Sequence, residues 1–175
     1  MWLQRRGYIE SDFTQSEVDE IVGLIRAGDI LLSYESGRWT SYFIKCEWDH
    51  AAMVNDALQV VEAVGDNIVN GVNLGGVRKV GLYEWICKKN HILVLRHKDQ
   101  DAAFKASELV NDYIGSGYDY AFKEGNEYYY CSELVYVSYK PFDNYFINRV
   151  DSKSDILPID YLDDSHLEII YNSRL

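Results

Sequence analysis

Hydrophobic residues recur along the chain with two spacings, one typical of helices and one typical of short strands. In "TQSEVDEIVGLIRAG" the apolar positions return every three or four residues, at Val18, Ile21, Val22 and Ile25. Thr14 stands three residues before Glu17, which is the spacing of a capping box at a helix start. The pattern predicts a first helix in this stretch, which Gly28 ends.

Four shorter apolar runs are bounded by polar residues or glycine, as strands are. They are "DILLSY", "HAAMV", "LQVVEAV" and "HILVLR". Two more helices are predicted, "DAAFKASELVNDYIGSG", which Gly115 and Gly117 end, and "CSELVYVSY", which begins at or near Cys131. The glycines of "DNIVNGVNLGGVRKVGLYEW" fit bulges or turns, and an irregular tail follows the last helix. This order predicts an α+β fold, a small antiparallel sheet packed with helices.

Length and charge narrow the class of protein. The 175 residues fit one domain spanning residues 1–175, without repeat or linker. A net charge of -11 disfavours nucleic acid and anionic membrane surfaces as partners. No apolar run is long enough for a transmembrane helix, and "MWLQRRGYIE" leads into no signal-peptide core. Cytoplasmic location is therefore the default expectation, and an extracytoplasmic one requires a leader missing from this sequence.

Cysteines and histidines give no local metal motif. The three cysteines have no close partner, so at least one free thiol is expected: Cys46, Cys87 and Cys131. Neither C-x-x-C nor H-E-x-x-H occurs, and no metal or other cofactor is predicted. His91 and His97 flank "ILVL" as strand-end side chains, and His166 lies in the polar "DDSHLE". The carboxylates of "DYLDDS" lack calcium-loop spacing and are expected on a solvated surface.

The stretch "EWDHAAMVND" places His50 at the head of the second predicted strand. If this strand and "LQVVEAV" form a hairpin with a tight turn at "NDA", pairing Val54 with Leu58 sets His50 directly opposite Glu62. The carboxylate would hold one ring nitrogen and raise the basicity of the other. A structural cross-strand pair is the alternative interpretation, and a third group is needed to decide between them.

Cys131 is the candidate for that third group. Its predicted position at a helix N-terminus exposes it to backbone N–H groups and the positive end of the helix dipole, which stabilise a thiolate. The alternative is a small buried residue that anchors the helix. Cys46 and Cys87 have no comparable position and are interpreted as structural.

These segments together resemble the circularly permuted, NlpC-type papain-like cysteine hydrolases, especially the YiiX/YebB-like group. The similarity rests on "AGDILL", "WDHAAMV", "VVEAVG", "GYDYAF", "YYCSELVY" and "LPID", in that order over residues 20 to 160. The histidine precedes the cysteine, as the permutation demands. The resemblance implies a permuted papain-like fold with Cys131 as nucleophile, His50 as general base and Glu62 orienting His50. Tyr118, in "GYDY", would line the cleft and bind substrate, with an aromatic side chain packed behind the helix as the alternative interpretation, and no cofactor is implied.

The implied activity is that of a cysteine amidase or peptidase-like hydrolase acting through a thioester. The substrate would be a cell-wall peptide or an N-acyl-lipid type of molecule. One alternative is an acyltransferase or phospholipid-directed hydrolase of the lecithin–retinol acyltransferase type. Another is a non-catalytic ligand-binding module, against which the joint presence of Cys131, His50 and Glu62 weighs.

Overall fold

The computed structural model describes residues 12–34, 47–65, 68–122, 127–144, 146–147 and 155–175. The α-helices of this part are α1 Gln15–Leu24, α2 Leu82–Ile86, α3 Gln100–Leu109 and α4 Cys131–Tyr139. Its 3-10 helices are Val110–Tyr113 and Pro158–Asp163. Its strands are β1 Ile30–Tyr34, β2 His50–Val54, β3 Gln59–Val64, β4 Ile68–Val69, β5 Val72–Asn73, β6 Gly76–Gly81, β7 His91–His97, β8 Gly117–Tyr118, β9 Tyr128–Tyr129 and β10 Leu167–Asn172.

A six-stranded sheet forms the centre of the fold, in the order β10-β7-β1-β2-β3-β6. Each pair of neighbouring strands is antiparallel. Helices cover both faces, which confirms the predicted α+β class with helices packed on an antiparallel sheet. None of the described helices has the length and apolar character needed to cross a bilayer.

The two faces of the sheet carry separate hydrophobic clusters. One joins the sheet to α1 and α2 through residues that include Ile21, Trp85, Leu31 and Ala52. The other joins it to α3 and α4 through residues that include Ala106, Leu134, Leu32 and Ala51. Successive strand residues point to opposite faces, so β1 and β2 are buried on both sides. Burial on both sides explains why these strands read as continuous apolar runs rather than alternating ones.

The predicted first helix forms with its capping box, in which the Thr14 side chain accepts the Glu17 N–H and Glu17 accepts the Thr14 N–H. Its predicted end is wrong, because the helix stops at Leu24 and Ile25 is already extended. Gly28 instead lies in the turn before β1 with a φ of +86°. A Cβ at this position would lie 2.5 Å from the carbonyl oxygen of Ala103. Glycine is therefore needed here for the turn and for the close approach of α3.

The segments left without a firm prediction supply part of the sheet and one helix. The ambiguous glycine-rich stretch contains β6 and α2. The expected irregular tail instead contains β10, which pairs with β7 at the edge of the sheet. A bulge between Ile169 and Tyr171 breaks the two-residue period of β10, so strict alternation could not reveal it. Gly115, with a φ of +97°, follows the 3-10 turn after α3, whereas Gly117 begins β8.

Candidate active site

His50 and Glu62 are in direct contact on neighbouring strands. Nε2 of His50 lies 2.9 Å from Oε2 of Glu62, and both side chains are almost completely buried. The predicted pairing of this histidine with this carboxylate is therefore present in the structure. It is reached through a different strand register from the predicted one.

The β2–β3 hairpin pairs Val54 with Val60, so the predicted pairing of Val54 with Leu58 is wrong by two positions. The turn is longer than "NDA" because Leu58 adopts a left-handed conformation, with a φ of 55°. The Leu58 N–H donates to the Asn55 carbonyl at 3.0 Å, and the Gln59 N–H donates to the Asn55 side chain at 2.8 Å. These bonds close a wider loop before β3 begins.

The register error leaves the contact intact because strand side chains alternate with a period of two. A shift of two residues keeps His50 and Glu62 on the same face, whereas a shift of one would have separated them. In the observed register they are diagonal neighbours, a relationship that leaves Cα atoms roughly 7–8 Å apart. Their long side chains bridge that distance.

Glu62 accepts hydrogen bonds on both carboxylate oxygens. Oε2 accepts the indole N–H of Trp85 at 2.8 Å as well as the imidazole N–H of His50. Oε1 accepts Nε and Nη2 of Arg78 at 3.1 and 2.9 Å. Burial alone raises the pKa of Glu62, but the His50 hydrogen bond and the charges of His50, Lys89 and Arg78 outweigh it and hold the pKa well below its usual range. Glu62 is therefore ionised at neutral pH.

The ionised carboxylate fixes the tautomer of His50. A carboxylate only accepts hydrogen bonds, so Nε2 of His50 must carry the proton that points at Glu62. In the neutral imidazole the basic nitrogen is then Nδ1. The geometry thus provides a histidine whose orientation is set by one nitrogen and whose basicity resides on the other.

Sequence reasoning missed Arg78, Trp85 and Lys89. Arg78 lies directly opposite Glu62 in the β3–β6 pairing, and Lys89 sits 4.6 Å above the Trp85 ring. The first two residues fall in the ambiguous glycine-rich stretch, whose strand and helix were not recognised. A cation opposite the carboxylate could have been found only by pairing β6 with β3.

Cys131 is the first residue of α4 and is 8% exposed. The start of this helix is fixed by hydrogen bonds to residues just before and within the last 3-10 helix. Ser132 Oγ donates to the Ile156 carbonyl at 2.7 Å, and the Ile156 N–H donates to the Tyr130 hydroxyl at 3.0 Å. The Tyr161 hydroxyl donates to the Ser132 carbonyl at 2.6 Å. The Ser132 hydroxyl is engaged by backbone, which leaves Cys131 as the nucleophile candidate of this segment.

Helix α4 and strand β2 begin at the same end of the sheet. The Tyr139 hydroxyl donates to the Gly28 carbonyl, and the Gly28 N–H donates to the Val54 carbonyl at 2.8 Å. The last residues of α4 and β2 are therefore neighbours, and the two elements pack together. Nine helical residues rise about 12 Å and five strand residues about 13 Å, so Cys131 and His50 lie at corresponding ends.

The histidine and the cysteine belong to different layers. Ala51 and Met53 face the α3/α4 layer, and alternation puts His50 on the α1/α2 side with Trp85. His50 is the first residue of β2, and Cys131 is the first residue of α4. The end of the sheet, where both elements begin, is where the two layers can meet.

Tyr118 lies in β8, beside the strand that leads to the cysteine. β8 pairs in parallel with β9, with Tyr118 opposite Tyr129. Its half-buried ring contacts Tyr120 edge-on at 4.9 Å and packs against the α3/α4 cluster. Tyr118 thus supports β9, and its predicted contact with substrate stays a prediction.

An open depression of about 540 Å³ borders β8 and β9. It is lined by tyrosines and carboxylates that include Tyr113, Tyr128, Tyr129, Asp112 and Glu127, while Tyr118 is not part of the lining. Tyr129 is two residues before Cys131, so the depression lies at the approach to α4.

The other candidate residues are placed as follows. Cys87 is half-buried at the end of α2, and neither it nor Cys131 forms a disulfide among the described residues, which agrees with the expectation of at least one free thiol. Cys46 lies outside the described residues. His97 is buried and contacts Asp143, which agrees with a satisfied strand-end histidine.

Comparison with known proteins gives the same fold and family. The model of the family described as permuted papain-like amidase enzyme, YaeF/YiiX, C92 family matches residues 24–167. The crystal structure of metalloprotein yiiX from Escherichia coli O157:H7, DUF1105, is similar with a TM-score of 0.65 and 18% identity, covering 85% of this chain and 97% of that one. A search of curated proteins returned no match. The matched region contains β2, β3 and α4, and this chain belongs to the family of permuted papain-like amidases, which are cysteine hydrolases.

Proposed function

We propose that the protein is an amidase in which Cys131 is the nucleophile, His50 the general base and Glu62 the residue that orients His50. The observation that carries the proposal is the hydrogen bond of His50 Nε2 to an ionised, buried Glu62. This bond leaves Nδ1 as the nitrogen that would exchange a proton with the thiol at the end of the sheet. Trp85 and Arg78 act as positioning residues, because they hold the carboxylate.

The reaction would proceed in two steps. His50 takes the thiol proton, the Cys131 thiolate forms a C–S bond with the amide carbonyl, and the C–N bond breaks as His50 returns the proton to the leaving amine. Water, activated by the same histidine, then forms a C–O bond with the carbonyl and breaks the thioester. The products are a carboxylate and an amine. The Cys131 backbone N–H, at a helix start, would be the first oxyanion donor.

A peptide substrate of the cell-wall type is the class that we favour. The residues that line the depression next to Tyr129 include the acidic Asp112 and Glu127 and three tyrosines. Carboxylates attract free amino groups, and tyrosines pack against peptide side chains while donating hydrogen bonds. An N-acyl lipid would need an apolar groove for its chain, which this depression does not provide.

Mass spectrometry of acyl adducts tests the proposal. The protein would be incubated with panels of amino-bearing peptides, N-acyl amino acids and phospholipids, and quenched in acid. We expect an acyl adduct on the peptide containing Cys131 with the peptide panel, and none in the Cys131→Ser variant. The Cys87→Ser variant is the control and should form the adduct normally.

The other outcomes discriminate between the alternatives. An adduct from phospholipid alone would favour the lecithin–retinol acyltransferase type of activity over the amidase. Modification of Cys87 instead of Cys131, or no adduct with any panel, would refute the assigned roles. In the latter case the ligand-binding module would be the remaining interpretation.

A further inference from the structure

Three separate segments bring two imidazoles and a carboxylate together at the end of β7. His97 closes β7, Asp143 follows α4, and His166 precedes β10. Their possible ligand atoms all lie within 4.8 Å of one another. We propose that His97, Asp143 and His166 form a binding site for a divalent transition-metal ion, with zinc as the best fit. This proposal is independent of the amidase function.

The first reason for proposing a metal site is the environment of the ring nitrogen Nδ1 of His166. Its Nδ1 is shielded from solvent and forms no hydrogen bond of acceptable geometry within the described residues. Yet Nδ1 lies 2.7 Å from Oδ2 of Asp143, which in turn is 3.1 Å from Nε2 of His97. Two polar atoms this close without an aligned proton are an unfavourable buried arrangement. A cation bound by both lone pairs removes that mismatch.

The spacing of the three atoms is the second reason. Zinc binds nitrogen and oxygen at about 2.0–2.2 Å, which puts neighbouring tetrahedral ligands about 3.3 Å apart. The two nitrogen–oxygen distances, 2.7 and 3.1 Å, would each widen by well under an ångström to accept the ion. A fourth position would remain for water.

The orientation of His97 is already set by its surroundings. Its ring stacks on Tyr139, with centroids 5.2 Å apart and planes inclined by 23°. Its Nδ1 lies 3.1 Å from the backbone of Asp99, so Nε2 is the nitrogen directed at Asp143. Metal-binding histidines are commonly held in this way through the nitrogen that does not bind the metal.

A second carboxylate adds the charge that a divalent ion needs. Oδ1 of Asp164 lies 3.4 Å from His166 Nδ1, and the Asp164 side chain is only 4% exposed. Its oxygens accept the backbone N–H groups of His166 and Ile147 at 2.7 and 2.6 Å. The expectation of a solvated carboxylate is therefore wrong for this residue of "DYLDDS". Imidazole combined with carboxylate favours zinc and its neighbours over calcium or magnesium, which prefer oxygen ligands alone.

The proposed metal site is remote from the proposed nucleophile. His97 stacks on the last residue of α4, whereas Cys131 is the first, and this nine-residue helix spans about 12 Å. A metal at the cluster would join the edge strand β10 to the ends of β7 and α4. We therefore assign it a structural role, which is to hold the C-terminal strand on the sheet.

Zinc titration of the full chain tests the site. The Cys131→Ser variant serves as parent, so that the Cys131 thiolate cannot contribute a ligand. We expect calorimetry to show that one equivalent of zinc binds. The Tm should rise with zinc concentration, because the folded state alone holds the ion. When cobalt replaces zinc, the bound ion should show visible absorption bands typical of nitrogen and oxygen ligands.

Two ligand variants and one control complete the design. His166→Ala, at a partly exposed position, and Asp143→Asn should each weaken zinc binding by about 100-fold. His91→Ala removes a histidine outside the cluster and should leave the affinity unchanged. Circular dichroism checks that each variant is folded. Equal zinc affinity in His166→Ala and the parent, or no zinc-dependent change in Tm, would overturn the proposal.

Discussion

His50 donates its Nε2 proton to Glu62 across two strands whose register does not set them directly opposite each other. The two side chains therefore meet because they are long enough to span the diagonal distance between the strands, and not because the backbone pairing places them opposite each other. Trp85 and Arg78 hold the same carboxylate from the α2 side and from β6. Glu62 thus contacts residues of three elements, β2, β6 and α2, which lie 12, 16 and 23 positions away from it along the chain.

The alkylation rates of Cys131 and Cys87 should follow the opposite order to their solvent exposure. Cys131 is buried and Cys87 is half-exposed, so exposure alone predicts faster alkylation of Cys87. We expect Cys131 to react faster with iodoacetamide at neutral pH, because the helix terminus and His50 favour its thiolate. The rate at Cys131 should fall in His50→Ala, as measured by mass spectrometry of the labelled peptides. Faster labelling of Cys87 would exclude an activated Cys131.

Replacing Glu62 by glutamine should impair catalysis while preserving size. The neutral amide can donate to His50 as well as accept, so the tautomer with Nδ1 basic is no longer enforced. We expect kcat/KM to fall by about 100-fold or more, within the usual range for acid–base contributions. Glu84→Gln, on the exposed side of α2, is the matched control and should retain full activity. A Glu62→Gln enzyme with unchanged kinetics would remove Glu62 from the mechanism.

The stability of the fold should depend on pH through the same carboxylate. The pKa of Glu62 is lower in the folded state than its ordinary value of 4.5. Its ionised form therefore stabilises the fold fully above that value, and the contribution is lost as the pH falls through the lower folded-state pKa. Urea unfolding between pH 7 and pH 3 should show this loss in the parent and a flatter profile in Glu62→Gln. Parallel profiles for the two proteins would contradict it.

Two glycines with similar backbone angles should respond differently to alanine. Gly28 and Gly71 have φ values of +86° and +80°. A Cβ at Gly28 meets the Ala103 backbone at 2.5 Å, whereas at Gly71 it meets nothing within 4 Å. Gly71→Ala should lower the free energy of unfolding by about 1–2 kcal/mol, because the only penalty there is the strain of a left-handed backbone conformation. Gly28→Ala should lower the free energy of unfolding, measured with urea, clearly more than Gly71→Ala does. Equal losses would show that the structure easily relieves the contact with α3.

The sequence alone determined the local elements and the identity of the site candidates. The capping box of α1, the strands around His50 and Glu62 and the helix starting at Cys131 all follow from local spacing and are present. The contact of His50 with Glu62 was also predictable in spite of the wrong register. The reason is that a two-residue error preserves the face of a strand.

Tertiary structure alone decided what surrounds those residues. Arg78 and Trp85 reach Glu62 only because β6 pairs with β3 and α2 folds back over the sheet. The histidine–carboxylate cluster likewise joins residues 97, 143 and 166, which share no local motif. Such contacts depend on strand order and helix packing across long separations, and spacing along the chain carries no information about either.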